Sequence, residues 1–348
     1  MVQYEVGSNL VGVASMTVKV GMNGLGRMGR LALRAAWPHR DLQVVRINEI
    51  ATGAEGSAHL LKYDSVHGTW PPDCRGEQRR ISVDDRDIDY VSSPSIDGGG
   101  WGDCDVVIEA TGRHHKEPDS LQAYFAQGVD RVVVAAPTDG ALNIVYGVND
   151  HAYDPHEHRL LSAASCTTNC LAPLVKVMHE NIGIRHGSMT TIHDITNTQT
   201  IVDKGHKDLR RARACGQSLI PTSTGSARAI GYIFPELEGR LNGHAVRVPL
   251  LNASMVDFVF EAAREVTRDE VNGYFRAAAE GELAGSLGYE DTPLVSVAYL
   301  GDPRSRIVDA PLTMVVGGSQ VKVMAWYDNE WGYVCRLVDL VRKVGALR

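Results

Sequence analysis

The chain is short of cysteine, has no long apolar run and carries no surplus of basic charge. Six cysteines stand in 348 residues, at 74, 104, 166, 170, 215 and 335. Their spacing is irregular and no pair is C-x-x-C, which excludes a zinc ribbon and a disulfide framework. Sparse, unpatterned cysteine suits a reducing cytoplasm, and no metal site is expected. No stretch approaches the ~18 consecutive apolar residues of a membrane span. Lys+Arg number 35 against 42 Asp+Glu, a net charge of −7, which argues against a general nucleic-acid binder. Residues 1–16 lack the basic start and apolar core of a signal peptide. The run Met-Thr-Val-Lys-Val from Met16 reads as a start in its own right, so 1–16 is expected to be an extension. With 44% hydrophobic and 22% charged residues, the rest reads as about two globular domains.

Organisation follows from the order of patterns. A strand at Val18–Met22, a glycine turn, a helix over Leu31–Trp37 and a strand at Leu42–Ile47 form a βαβ unit. Two more short apolar strands, Asp105–Ile108 and Arg131–Ala135, extend it. Hairpins and loops are expected over 68–103. This predicts an α/β fold whose N-terminal Rossmann domain covers 17–165. Longer strands follow at His186–Ile195, His244–Arg247, Met255–Phe260 and Gln320–Trp326, with helices at Leu171–Glu180 and Asp269–Glu280. That half, 166–330, is expected to be an α+β catalytic domain with a mixed or antiparallel sheet. A last helix within 331–348 is expected to pack back on the first domain.

Gly24, Gly26 and Gly29 make G-x-G-x-x-G. Alone it is weak, but here it joins a strand to a helix, and Glu49 lies 20 residues on at the end of the next strand. Gly24 permits the tight turn, Gly26 lets a pyrophosphate approach the backbone, and Gly29 lets helix and strand pack. The helix N-terminus offers free N–H groups to phosphate. Glu49 is expected to accept hydrogen bonds from ribose hydroxyls and to repel a 2′-phosphate, favouring NAD over NADP.

Ser165-Cys166-Thr167-Thr168-Asn169-Cys170 precedes an apolar helix. Ser165 is a plausible N-cap, which places Cys166 in the first turn, where the helix dipole favours a thiolate. His193, 27 residues on, is the candidate base. Spacing alone leaves an inert buried cysteine and a core histidine as equal or better readings. Cys170 reads as a bystander.

Five ordered runs resolve this. Asn23-Gly24-Leu25-Gly26-Arg27-Met28-Gly29-Arg30, Ser165–Cys170, Pro221-Thr222-Ser223-Thr224-Gly225, Arg247-Val248-Pro249 and Trp326–Tyr333 resemble phosphorylating glyceraldehyde-3-phosphate dehydrogenases, collinearly from about residue 17. The resemblance implies that Cys166 is the nucleophile and His193 the base. It implies that Arg27 and Met28 touch the cofactor pyrophosphate, that Thr111 and Gly112 line the cofactor channel, and that Asn329 bonds the nicotinamide carboxamide. Thr196 and Arg247 resemble the substrate-phosphate site. Ser165, Thr167, Thr224 and Gly225 resemble the site for an attacking inorganic anion, and Arg211 lies in a cofactor-flanking loop. A homotetramer is implied as well.

Several positions depart from the usual family pattern. Glu49 replaces an aspartate, Asp194-Ile195 follows His193 in place of a small residue and an aromatic, and Arg113-His114-His115-Lys116 follows Gly112. An acid beside the base is expected either to raise the histidine pKa or to point away. With His193–Thr200, these departures resemble the branch associated with arsenic-resistance operons. That branch implies arsenate in place of phosphate and an ester exported by a partner permease. An erythrose-4-phosphate dehydrogenase that hydrolyses its thioester, and a catalytically silent binding protein, are the alternatives.

Overall fold

The computed structural model describes residues 17–348; the extension expected at 1–16 lies outside the described residues. The first half is built on a nine-stranded sheet. Seven strands run parallel, in the spatial order Leu142–Asn143, Leu160–Ser162, Arg131–Val134, Val106–Glu109, Val18–Asn23, Leu42–Asn48, Arg86–Val91. Val106–Glu109 and Arg131–Val134 are near-continuous Val/Ile runs with every residue buried, as expected where helices cover both faces of a parallel sheet. Arg80–Val83 and Cys74–Glu77 extend the edge in antiparallel fashion. They alternate buried and exposed residues, since one face meets water. The strand Val18–Asn23 lies between Leu42–Asn48 and Val106–Glu109, so the connections leaving it and its neighbours diverge there. That divergence opens a crevice beyond its C-terminal end, where Gly24 begins the turn.

The helix after that turn runs Arg27–Ala36, one turn earlier than the apolar pattern predicts, because Arg27 and Arg30 carry no hydrophobic signal. It buries Leu31, Ala32 and Leu33. Arg34 is buried too, and its guanidinium donates to the carbonyls of Leu61 and Gly68. The helix Trp331–Ala346 lies against the same sheet. Its Val334, Leu337, Val338, Val341 and Val344 share one core with Val18, Val20 and Leu31.

The second half carries a mixed sheet in the order Ile220–Ser223, Leu241–Arg247, Ile184–His193, Ser254–Ala262, Gln320–Tyr327, Arg306–Asp309, Leu287–Glu290. Ile184–His193 is parallel to Leu241–Arg247 and antiparallel to Ser254–Ala262. In Ser254–Ala262 every second residue is buried, the period of a half-buried strand. Two helices found here, Cys166–Ile182 and Arg268–Glu280, extend those expected. A third, Ser226–Ile233, was hidden by its small and polar residues. The register His193↔Arg247 sets these two side chains at neighbouring strand ends.

Candidate active site

The glycine turn is shaped for close approach. Gly24 has φ +95°, in the left-handed region that favours glycine. A Cβ on Gly29 would lie 2.1 Å from the Gly24 carbonyl oxygen, while one on Gly26 would meet nothing within 4 Å. Gly29 is therefore required for packing, and Gly26 faces open space. Glu49 accepts from the backbone N–H groups of Leu25 (2.8 Å), Ile50 (2.8 Å) and Ala51 (2.7 Å). It thereby closes the turn from the side and still lines the cleft formed by Gly24, Gly26, Ser93, Ala110 and Thr111. Thr111 bonds Glu109, whose other oxygen accepts from Tyr124 (2.6 Å) and Asn23 (3.0 Å). Gly112 has φ +70°. An open glycine cradle at a helix N-terminus, flanked by a carboxylate with unused lone pairs, fits a dinucleotide.

Arg27 is more committed than expected. It contacts Glu330 through Nε at 2.5 Å and Asp64 through Nη1 at 2.8 Å. His67 Nε2 lies 2.9 Å from Glu330 as well. Arg27 thus ties the glycine turn to the segment leading into the C-terminal helix. Met28 packs on the first core.

Cys166 is the first residue of its helix. Ser165 caps it, Oγ accepting from the Thr168 N–H at 3.1 Å. Ala164, just before, has φ +53°, a strained conformation of the sort held at functional sites. The Cys166 Sγ lies 3.6 Å from His193 Nε2. His193 is buried at the end of its strand. Burial by itself would pull its pKa down, but contacts with Asp194 and then Cys166 outweigh it, and the ring is pushed up to about 9. Arg247 Nη1 is 2.7 Å from His193 Nδ1 and donates to the Asp194 carbonyl at 2.9 Å. Burial lowers the Arg247 pKa.

A second helix N-terminus meets the first. Thr224 and Gly225 precede the helix Ser226–Ile233, and the Ser226 hydroxyl lies 3.2 Å from both Ser165 Oγ and Thr224 Oγ1. Two sets of free N–H groups and a chain of hydroxyls suit an anion. Thr167 differs from expectation. Its hydroxyl is buried against Tyr327 OH at 2.9 Å, so an anion would share it with that partner. Thr196 is exposed and bonds Thr198 and Gln199. Arg211 donates to Thr222 (2.8 Å) and stands near Asp208. Asn329 is buried; its Nδ2 donates to Asp194 Oδ2 (2.8 Å) and its Oδ1 accepts from Ser254 (2.9 Å).

Three contributors were not among the expected residues. Ser226 bridges the two helix ends. Tyr327 joins Thr167 to Thr191 and stands nearly perpendicular to the His193 ring, with centroids 6.0 Å apart. Ser254 holds Asn329. Only a fold that brings residue 254 beside 329 reveals that pair.

Comparison with known proteins agrees with this geometry. Residues 18–117 match the family model "Glyceraldehyde 3-phosphate dehydrogenase, NAD binding domain", and residues 165–329 match "Glyceraldehyde 3-phosphate dehydrogenase, C-terminal domain". The chain is 59% identical over 333 residues to glyceraldehyde-3-phosphate dehydrogenase 3 of a Nostoc strain, spanning 94% of this chain and 98% of that protein. It is 48% identical over 334 residues to glyceraldehyde-3-phosphate dehydrogenase of Geobacillus stearothermophilus, spanning 95% and 99%. A glycine cradle for NAD, a cysteine–histidine pair at a helix N-terminus and matches along nearly the whole length lead to one conclusion: this NAD-dependent oxidoreductase belongs to the glyceraldehyde-3-phosphate dehydrogenase family.

Proposed function

We propose that the chain oxidises glyceraldehyde 3-phosphate through a thioester on Cys166, with phosphate or arsenate as acyl acceptor. The observation that carries this reading is the 3.6 Å approach of Cys166 Sγ to His193 Nε2 at one helix N-terminus, with a second N-terminus facing it. Cys166 adds to the aldehyde carbon. The helix N–H groups and His193 hold the new oxygen. His193 then takes the hydroxyl proton as hydride leaves the carbon. Bound NAD supplies the hydride acceptor. Arg247 and Thr196 anchor the substrate phosphate and so position the carbonyl. The inorganic anion, held by Ser165, Thr224, Gly225 and the Thr167 N–H, attacks the thioester and frees Cys166.

Arsenate as the physiological acceptor, with export of the product by a partner permease, is supported by the run His193–Thr200. A cytoplasmic setting is supported by the sparse, unpatterned cysteine, and self-association, read as a homotetramer, by the exposed apolar residues Ile201, Val202 and Leu209 in the loop at 195–218, which a neighbouring subunit would cover.

Nicotinamide absorbance, followed with phosphate, with arsenate and with neither, tests the reading. Turnover that needs an anion supports it. Equal turnover without one replaces it by thioester hydrolysis, as in the erythrose-4-phosphate variant. Cys166→Ser is expected to abolish oxidation while leaving NAD binding, and His193→Asn to slow it by roughly 10²–10⁴-fold. Near-wild-type rates in Cys166→Ser would end the covalent mechanism.

A further inference from the structure

Three groups reach one nitrogen of the base: the Asp194 backbone carbonyl oxygen lies 3.0 Å from His193 Nδ1 and can accept its proton, and two side chains compete beside it. Asp194 Oδ1 lies 2.6 Å from His193 Nδ1, and Arg247 Nη1 lies 2.7 Å from the same atom. Their demands are opposite. A guanidinium can only donate, so its approach selects a ring with a lone pair at Nδ1 and a proton on Nε2, facing Cys166. A carboxylate can only accept, so it selects a proton on Nδ1 and leaves Nε2 free to receive one. The first tautomer cannot act as the base; the second can.

The carboxylate is held in place. Asp194 is 1% exposed. Its Oδ2 accepts from Asn329 Nδ2 at 2.8 Å, and its backbone N–H donates to Ser254 Oγ at 3.1 Å. Ser254 in turn donates to Asn329 at 2.9 Å. Asp194 Oδ1, in contrast, has no aligned hydrogen bond; the acceptor aligned with Nδ1 is the backbone carbonyl of the same residue, and the carboxylate adds its negative charge beside it. The Arg247 Nε is likewise buried and unpartnered, so the guanidinium has donors to spare for an anion.

We propose that Asp194 is a positioning residue that sets the tautomer of His193, and that an anion drawing Arg247 away hands Nδ1 to Asp194. Asp194 thereby links three parts of the site through one residue: its carboxylate meets the base and Asn329, and its backbone carbonyl accepts from the substrate-anion arginine. This rests on the reading of His193 as base and Arg247 as anion site. The groups facing the ring are Cys166 on its Nε2 side, Asp194 and Arg247 on its Nδ1 side, and Tyr327 nearly perpendicular to it. Glu330 acts on Asp194, and Arg211 on Arg247, from further away.

The test uses the full chain with and without inorganic phosphate. Ring-nitrogen NMR of labelled histidine, assigned through His193→Asn, reads the tautomer and titration of His193. In wild type, phosphate is expected to move the proton toward Nδ1 and raise the titration midpoint. In Asp194→Asn, which keeps the side chain's shape, the midpoint is expected to fall by about one to three pH units, the span of a lost carboxylate neighbour. The rising, acid-side limb of the kcat profile, which reports deprotonation of the base, should move down with it, while KM for the aldehyde changes little. An unmoved midpoint in Asp194→Asn overturns the proposal. A wild-type midpoint at or below the ordinary histidine range does so without any variant. The NMR readout needs no aldehyde, so failure of the substrate assignment and failure of this proposal are distinguishable.

Discussion

Asp64→Asn probes the junction between the glycine turn and the C-terminal segment. Asp64 Oδ1 accepts from the Val66 and His67 N–H groups, both at 2.9 Å, and Oδ2 meets Arg27 Nη1 at 2.8 Å. Its side chain is 3% exposed. Burial by itself would raise its pKa, but the His67 N–H, Arg27 and the Val66 N–H win, and it is held down at about 2 against an ordinary 3.8. A carboxyl depressed in the folded state stabilises fully above its unfolded pKa and loses that contribution as pH falls through the folded one. The depression corresponds to about 2 kcal/mol. Asparagine keeps the shape and one acceptor but brings no charge to Arg27, which retains Glu330. Urea unfolding at one fixed protein concentration, followed by tryptophan fluorescence, should show the variant less stable by about 2 kcal/mol near neutrality. The gap should shrink as pH falls through the unfolded pKa and close below the folded one. A gap constant with pH, or absent at neutrality, would refute the electrostatic account.

The glycine turn gives a matched pair. Gly29→Ala forces a methyl onto the Gly24 carbonyl and should cost ~1–3 kcal/mol in a thermal or denaturant melt. Gly26→Ala meets nothing and should melt near wild type while NAD titration shows weakened binding; equal melts for the two would contradict the packing argument. Glu49→Ala removes the charge facing a 2′-phosphate and should narrow the preference for NAD over NADP in steady-state kinetics. Wild-type use of both cofactors alike would show that Glu49 does not discriminate.

Local chemistry was legible in the sequence wherever neighbours in the chain are neighbours in space. The strand–glycine–helix turn and the Ser165 cap on Cys166 are of this kind. So are the apolar strands, although the alternation in Ser254–Ala262 emerged only in the fold and helix starts at Arg27 and Cys166 fell earlier than apolar patterns show. Residues joined only by the fold were not legible. Ser226 meets Ser165 across 61 positions, and Asn329 meets Asp194 across 135. Nothing local sets the direction of Asp194, and its two expected orientations were separable only by seeing Ser254 and Asn329 beside it. The bond from the Thr167 hydroxyl to Tyr327, on a strand 160 residues away, was likewise invisible.

The placement of Trp331–Ala346 in the first core has a consequence for biosynthesis. The apolar face that Val18, Val20 and Leu31 present on synthesis is covered by residues made only after the whole catalytic half. A ribosome-bound chain that has finished the whole first sheet still leaves that face open to water or to a chaperone. The catalytic half, which lies between, is threaded out in the meantime. Closure of the nucleotide-binding core, with the Arg27–Glu330 clasp beside it, is therefore a late event. A stalled or truncated chain lacking those last turns would be recognised by its uncovered valines before it could hold NAD.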